Sequence, residues 1–243
     1  MQHPLASKLT ASFTEAYFSH MNYDPALALQ AATDGELSIG YPMIVKSFLG
    51  KTVVCIAQEI EDAVPEINKM PADSSFDDFF NLIFEPDTPF EKDLSYIAVY
   101  DKDSAPVITL PENVSVRRLS ADSKADKKLF ALFARTITKR EQDLAQVALS
   151  DICPMGLFVG GELISVASFA KWNSIMDIGV MTRPDMRKKG YGTLLVRALC
   201  EEFANEGTII QYRCDKSNAA SYALMQKAGF IPAVEMTGLI LKI

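Results

Sequence analysis

Histidine is almost missing from this chain. Its 243 residues hold two, His3 and His20, both near the beginning. Most zinc sites are thereby excluded, as is any histidine-dependent triad in the C-terminal half, and no metal is expected. Cysteine is sparse too. Cys55, Cys153, Cys200 and Cys214 are scattered, with no C-x-x-C pair, which reads as reduced, mostly buried thiols. No apolar run approaches the ~18 residues of a membrane span. The opening Met1-Gln2-His3-Pro4-Leu5 lacks the basic and apolar blocks of a secretory leader. A cytoplasmic protein without membrane contact is the expectation. Positive charge is also short, 24 Lys and Arg against 31 Asp and Glu, net -7. That balance argues against general nucleic-acid binding, which rests on cations neutralising phosphates. Two nucleotide signatures are absent as well. There is no G-x-x-x-x-G-K-[ST], and Gly190-Tyr191-Gly192 lacks both the third glycine and the downstream acidic residue of a dinucleotide fold.

What is present is enough apolar residue, 49% of the chain, for a real core in one large or two small domains. The seam is placed in "DKDSAPVITLPENV", Asp101 to Val114, polar and carrying two prolines among turn formers. It gives an N-terminal domain over 1–108 and a second over 109–243. In the first, Asp24-Pro25 is expected to open a helix, "TVVCIA" (Thr52 to Ala57) and "LSYIAVY" (Leu94 to Tyr100) read as strands, and "SSFDDFFNLIF" reads as a helix capped by Ser74 or Ser75. Acidic residues crowd Glu59 to Asp103, either as a solvated surface or as a face for a cationic substrate.

The second domain is more regular. "VSVRRLS" (Val114 to Ser120) alternates as a strand. Asp122 or Ser123 caps a helix whose Leu129, Leu132 and Phe133 are expected on one face, and a second helical stretch runs from Glu141 to Leu149. Gly156 to Trp172 reads as a hairpin turning at Gly160-Gly161, and Ser174 to Thr182 as a further strand. A helix follows Gly192, burying Leu195, Leu199 and Phe203 and stopping near Gly207. Thr208 to Cys214 is a strand, Asn218 caps a helix ending at Lys227-Ala228-Gly229, and a last strand lies within Val234 to Ile243. The order β-α-α-β-β-β-α-β-α-β implies a mixed sheet with helices on its faces.

Between strand and helix stands Arg187-Lys188-Lys189-Gly190-Tyr191-Gly192. Two glycines let backbone approach a ligand and turn N–H groups inward, and three cations gather at a helix N-terminus. A phosphate site and a solvated turn both fit this loop alone. Downstream, "NAASYALMQKAGF" (Asn218 to Phe230) opens the next strand-helix unit. Together, R-x-x-G-x-G and N-x-x-[AS]-x-x-L-x-x-K-x-G-F in this order resemble the GNAT superfamily of acyl-CoA-dependent N-acyltransferases, over roughly Val114 to Ile243.

The resemblance implies an α+β fold, a mixed and mostly antiparallel sheet flanked by helices, preceded here by a smaller α/β domain that is either substrate-side or a worn GNAT-like half. It implies acetyl-CoA as cosubstrate and an amine acceptor, either a small molecule or a protein or peptide. Arg187, Lys188, Lys189, Gly190, Tyr191, Gly192 and Thr193 would hold the CoA diphosphate. Ile178, Gly179, Val180 and Met181 would form the splayed strand that pairs with the pantetheine arm. Asn218 and Ser221 would also contact CoA, and Gly229-Phe230 would be structural. Attack by an amine of pKa ~10 requires a base. Asp177 is the only carboxylate on that strand, although its register points it to the opposite face from the usual one. Glu141 and Asp143 either line the acceptor site or stand as surface charge. The tyrosine that often protonates the leaving thiolate is replaced, after Leu224, by Met225, which has no proton to donate. Tyr222 is the candidate substitute. An N-acetyltransferase is the leading expectation. An acyl-CoA-binding sensor or scaffold is the alternative, and an N-terminal half that recruits the acceptor is compatible with either.

Overall fold

The computed structural model describes residues 24, 26–48, 50–103, 105–107, 109–172, 175–203 and 208–242. The chain divides into two compact units. The first takes Met1–Ile97, Cys214–Asn218 and Pro232–Ile243, and the second Ala98–Arg213 and Ala219–Ile231.

The first unit is built from β1 (Leu29–Thr33), β2 (Met43–Phe48), β3 (Lys51–Ile56), α1 (Val64–Ile67), α2 (Phe76–Ile83) and most of β4 (Phe90–Tyr100) and β10 (Phe230–Leu241). Its strands lie in the order β1-β3-β2-β10-β4. β3 runs parallel to β1 and antiparallel to β2, and β2 is antiparallel to β10. Alternate residues of β2 and β3, Met43 and Val45 with Val54 and Ile56, turn one face towards Ile67, Phe79 and Phe80. Burying each such side chain contributes about 1.5–3 kcal/mol. α2 starts where expected, because Ser75 and Asp78 form a capping box, with the Ser75 N–H donating to Asp78 Oδ2 at 2.7 Å.

The helix expected from Asp24-Pro25 is not formed; Pro25 itself lies outside the described residues. Asp24 closes a turn instead. Its Oδ1 accepts from the Ala26 N–H at 2.8 Å and its carbonyl from the Leu27 N–H at 3.2 Å, after which the chain enters β1. An Asp side chain satisfies a turn as readily as a helix start, and pairing with β3 decides the outcome.

The second unit follows the element order read from the sequence: β5 (Val114–Arg118), α3 (Lys124–Ala134), α4 (Lys139–Ala145), β6 (Ile152–Val159), β7 (Glu162–Trp172), β8 (Ile175–Thr182), α5 (Tyr191–Phe203), β9 (Ile209–Asp215) and α6 (Ala219–Lys227). β5 to β8 are antiparallel neighbours, and β9 joins β8 in parallel. This mixed sheet with flanking helices is the expected fold class. Gly160 and Gly161 form the hairpin turn at φ 56° and 86°. Phe133 of α3 packs with Leu119, Phe158, Val166 and Met181.

Two expectations are corrected here. Leu132 is 51% exposed, because the buried stripe of α3 runs through Leu129, Phe130 and Phe133, and residue 132 lies a helical step away from it. α4 ends before Gln146, whose φ of 50° stops the helix well short of Leu149. α5 buries Leu195 and Leu199 completely, while Phe203 is half-buried; Gly207, its expected stop, lies outside the described residues, as do His3, His20 and Ser174. Among the described residues, no helix is long and apolar enough to cross a membrane.

Candidate functional site

The site begins where two strands part. β8 pairs with β7 in unbroken register from Ile175 opposite Trp172 to Thr182 opposite Ser165. With β9 it pairs only at Ile175–Ile209, Met176–Ile210 and Asp177–Gln211. Beyond that apex the β9-side edge of Ile178, Gly179, Val180 and Met181 has no strand partner among the described residues, so backbone N–H and C=O groups there are left for another hydrogen-bonding partner. The two faces of β8 differ. A Cβ at Gly179 would lie 2.2 Å from the Ala145 carbonyl oxygen and 2.8 Å from Val147, so the end of α4 rests on the strand at that point. On the opposite face, a Cβ at Gly192 would stand 3.1 Å from Thr182 Oγ1, which sets the start of α5 against the end of β8.

Asp177 marks the apex and is buried. Its Oδ1 accepts from Gln211 Nε2 at 3.0 Å, and its Oδ2 from Arg213 Nε at 2.9 Å and also from Arg213 Nη2. Both oxygens are therefore engaged by β9. In the structure Asp177, the residue expected as general base, clasps β8 to β9 at the end of their pairing and lies on the same face of β8 as Gly179. Gln211 and Arg213 are the functional neighbours that sequence reasoning missed. Their signal was visible as two polar residues alternating within the otherwise apolar run Ile209-Ile210-Gln211-Tyr212-Arg213-Cys214.

From Thr182 a short 3-10 turn (Pro184–Met186) leads into the loop. Lys188 has φ 61° and Gly190 φ 86°, so the backbone turns twice in the left-handed region before α5 begins. Apart from its chain neighbours, no atom of the described residues lies within 4 Å of the place a Gly190 Cβ would occupy. The Leu194 N–H donates to the Gly190 carbonyl at 3.0 Å, closing the first turn of α5. The N–H groups of Tyr191, Gly192 and Thr193 thus open a helix that offers them no internal acceptor. Arg187, Lys188 and Lys189 are all exposed beside them.

Arg187 is held from two sides. Its Nε donates to the Thr182 carbonyl at 3.0 Å and its Nη1 to Glu141 Oε1 at 2.7 Å. Glu141 is the third residue of α4, and its Oε2 accepts from Thr138 Oγ1 at 2.8 Å in a capping box. These bonds, Arg187 first and Thr138 second, draw the Glu141 carboxyl down to about 2. Asp143 instead pairs with Lys139 at 2.6 Å on the exposed side of α4. Arg183 is taken up by Glu162 and Asp185.

Asn218 stands directly before α6, its N–H bonded to the Asp215 carbonyl at 3.0 Å, and Ser221 is half-buried in the first turn. Leu224 Cδ1 would be 3.1 Å from a Gly192 Cβ, so α6 packs on the start of α5. Met225 is completely buried. The position where a tyrosine was expected therefore faces the interior. Tyr222 is half-buried, and its hydroxyl accepts from Gln226 Nε2 at 3.3 Å. Among the described residues, no three His, Cys, Asp or Glu side chains group as a metal site.

Residues 126–230 match the model of the family described as Acetyltransferase (GNAT) family. This segment, which contains the fork, the loop and both flanking helices, is a GNAT acetyltransferase domain. Solved structures similar to the chain include a GNAT-family acetyltransferase from Colwellia psychrerythraea, 15% identical, with TM-score 0.49 over 68% of this chain and 62% of that one. Another is a GCN5-related N-acetyltransferase-like protein from Streptococcus suis 89/1591, 15% identical, with TM-score 0.48 over 87% of each chain. A third is a GCN5-related N-acetyltransferase from Kribbella flavida, 15% identical, with TM-score 0.46 over 64% of this chain and 60% of that one. The chain spans less than two thirds of the Colwellia protein's length. No curated protein matches it.

Two consequences can be measured. Because the Glu141 carboxyl titrates lower folded than unfolded, its ties stabilise the protein above the ordinary carboxylate range and are lost as pH falls from there towards about 2. Carbon-detected NMR should give that low midpoint for Glu141, and Arg187→Ala should raise it part of the way back to ~4.3. Met225→Tyr should lower stability to chemical denaturation by about 1–3 kcal/mol, the usual result of forcing a larger side chain into a filled interior; an unchanged midpoint would mean the residue is not in the core.

Proposed function

We propose that the protein is an N-acetyltransferase that moves an acetyl group from acetyl-CoA to a primary amine. The observation that carries the proposal is the fork: an unpaired strand edge at Ile178–Met181 runs directly into a cationic loop and a helix N-terminus. The donor set suits a diphosphate linked to an amide-containing arm. The first N–H groups of α5, the open backbone at Gly190, and Arg187, Lys188 and Lys189 offer hydrogen bonds and positive charge to the diphosphate. The edge of β8 offers backbone N–H and C=O groups to the arm, in the manner of an added strand. When bound, acetyl-CoA supplies a thioester, an acyl group activated for attack by an amine.

The chain's own contributions follow from position. A backbone N–H on the β8 edge that faced the thioester oxygen would stabilise the charge developing there by about 3 kcal/mol, as oxyanion donors commonly do. With both oxygens of Asp177 engaged by Gln211 and Arg213, deprotonation falls to solvent at the fork. For an amine of pKa ~10, about one molecule in a hundred is neutral at pH 8. That costs rate without forbidding reaction, and turnover should rise with pH towards the pKa of the amine. The thiolate, with a pKa near ~8.5, leaves as the anion. The acceptor is a small-molecule amine or an amine on a protein or peptide.

The test is direct. The protein is mixed with acetyl-CoA and a panel of polyamines, amino acids and lysine peptides, and free thiol is followed. Thiol release that depends on a particular amine is expected, together with loss of CoA binding in Gly190→Glu, which sets a carboxylate at the diphosphate. Thermal stabilisation by CoA without turnover on any amine would assign the chain to binding rather than catalysis. Undiminished CoA affinity in Gly190→Glu would overturn the loop assignment.

A further inference from the structure

We infer that Glu141 is the loop's built-in counter-anion: it holds Arg187 until a diphosphate takes over the guanidinium, and its release loosens α4 above Gly179. The inference rests on the reading of the loop as a diphosphate site. It does not depend on which acyl group is carried or which amine accepts it.

A guanidinium has five N–H donors in a fixed plane. In Arg187, Nε is committed to the Thr182 carbonyl, which fixes the root of the side chain, and Nη1 to Glu141 Oε1 at 2.7 Å. A diphosphate that reaches the first N–H groups of α5 meets this same guanidinium, since Arg187 stands three residues before Gly190. It would then lie beside the Glu141 carboxylate, which is 37% exposed and fully charged in ordinary buffer. Like charges that close repel even in partly solvated surroundings, and Glu141 has already neutralised the cation. Pre-aiming the guanidinium offsets this, but only by the small entropy of one side chain. Repulsion wins, so Glu141 should lower the affinity of the loop for a diphosphate by about 5-fold.

Coupling of this kind is reciprocal: a diphosphate must weaken the Glu141–Arg187 bond by the same factor. What that bond tethers is α4. The helix has seven residues, too few to be stable alone. It is kept by the Thr138 capping box, by Gln142 Nε2 donating to the Ala134 and Ile137 carbonyls at 2.8 and 2.9 Å, and by the tie to Arg187. Its far end rests on β8 through the Ala145 carbonyl at Gly179. Occupation of the loop is therefore felt at Gly179, on the face of β8 opposite α5, by way of one charged residue. Glu141 touches no reacting atom in this scheme; it is a positioning residue.

Glu141→Gln isolates the effect, because glutamine at the third helical position still completes a capping box while the charge is removed. Calorimetry with coenzyme A should show about 5-fold tighter binding in the variant at low salt, and the gap should narrow as salt is added. Hydrogen exchange of the α4 amides should speed up when coenzyme A binds the native protein, and should already be faster in the variant without it. Equal or weaker binding by Glu141→Gln overturns the inference while leaving the loop reading intact. So does slower exchange of α4 in the coenzyme A complex of the native protein, which is decisive even if the variant fails to fold. Absence of coenzyme A binding in both proteins overturns the loop reading and this inference together.

Discussion

The site depends on the place where β8 and β9 stop pairing. Three parallel pairs bring the strands together, and the ladder ends at Asp177–Gln211. A strand edge inside a sheet normally spends its N–H and C=O groups on a neighbour. Here, among the described residues, the edge of β8 turned away from β7 does not beyond Asp177, while β7 holds the strand on its other side in continuous register. The clasp of Asp177 by Gln211 and Arg213 lies at the last paired residues, so the opening is fixed by side chains as well as by backbone. Asp177 thereby has a structural task at the end of the ladder.

The loop after β8 adds the second half of the site. Its left-handed turns at Lys188 and Gly190 bring α5 into line directly after the strand, so an amide-rich edge and a helix N-terminus follow one another within a few residues. Charge is arranged unevenly there. Arg183 is consumed by two carboxylates, Arg187 shares itself between the Thr182 carbonyl and Glu141, and Lys189 Nζ lies 3.4 Å from the Met186 sulfur. Electrostatic attraction at the loop is thus adjustable, with Glu141 the group that sets it.

Local chemistry made much of this legible. The Gly160-Gly161 turn, the Ser75 and Ser123 caps, the strand from residue 175 to 182 and the helices on either side of β9 all carry short-range signals, and each was found within a few residues. Long-range pairing carried no such signal. The end of the β8–β9 ladder depends on two strands 34 residues apart, and the bond from Glu141 to Arg187 spans 46. β2 was overlooked because its buried Lys46 breaks the apolar alternation that marks a strand. The burial of Met225 was obscured because Ala219–Lys227 has no clear apolar stripe. The turn at Asp24 failed in the other direction, since the same residue type begins helices and turns alike.

The central claim is that the edge of β8 and the first turn of α5 hold one ligand between them. Its most direct measurement is a titration of nitrogen-labelled protein with coenzyme A, followed by amide NMR. The amides of Ile178–Met181 and of Gly190–Thr193 should shift together and saturate at one common dissociation constant. Shifts confined to one of the two segments, or found elsewhere in the chain while both stay still, would contradict it.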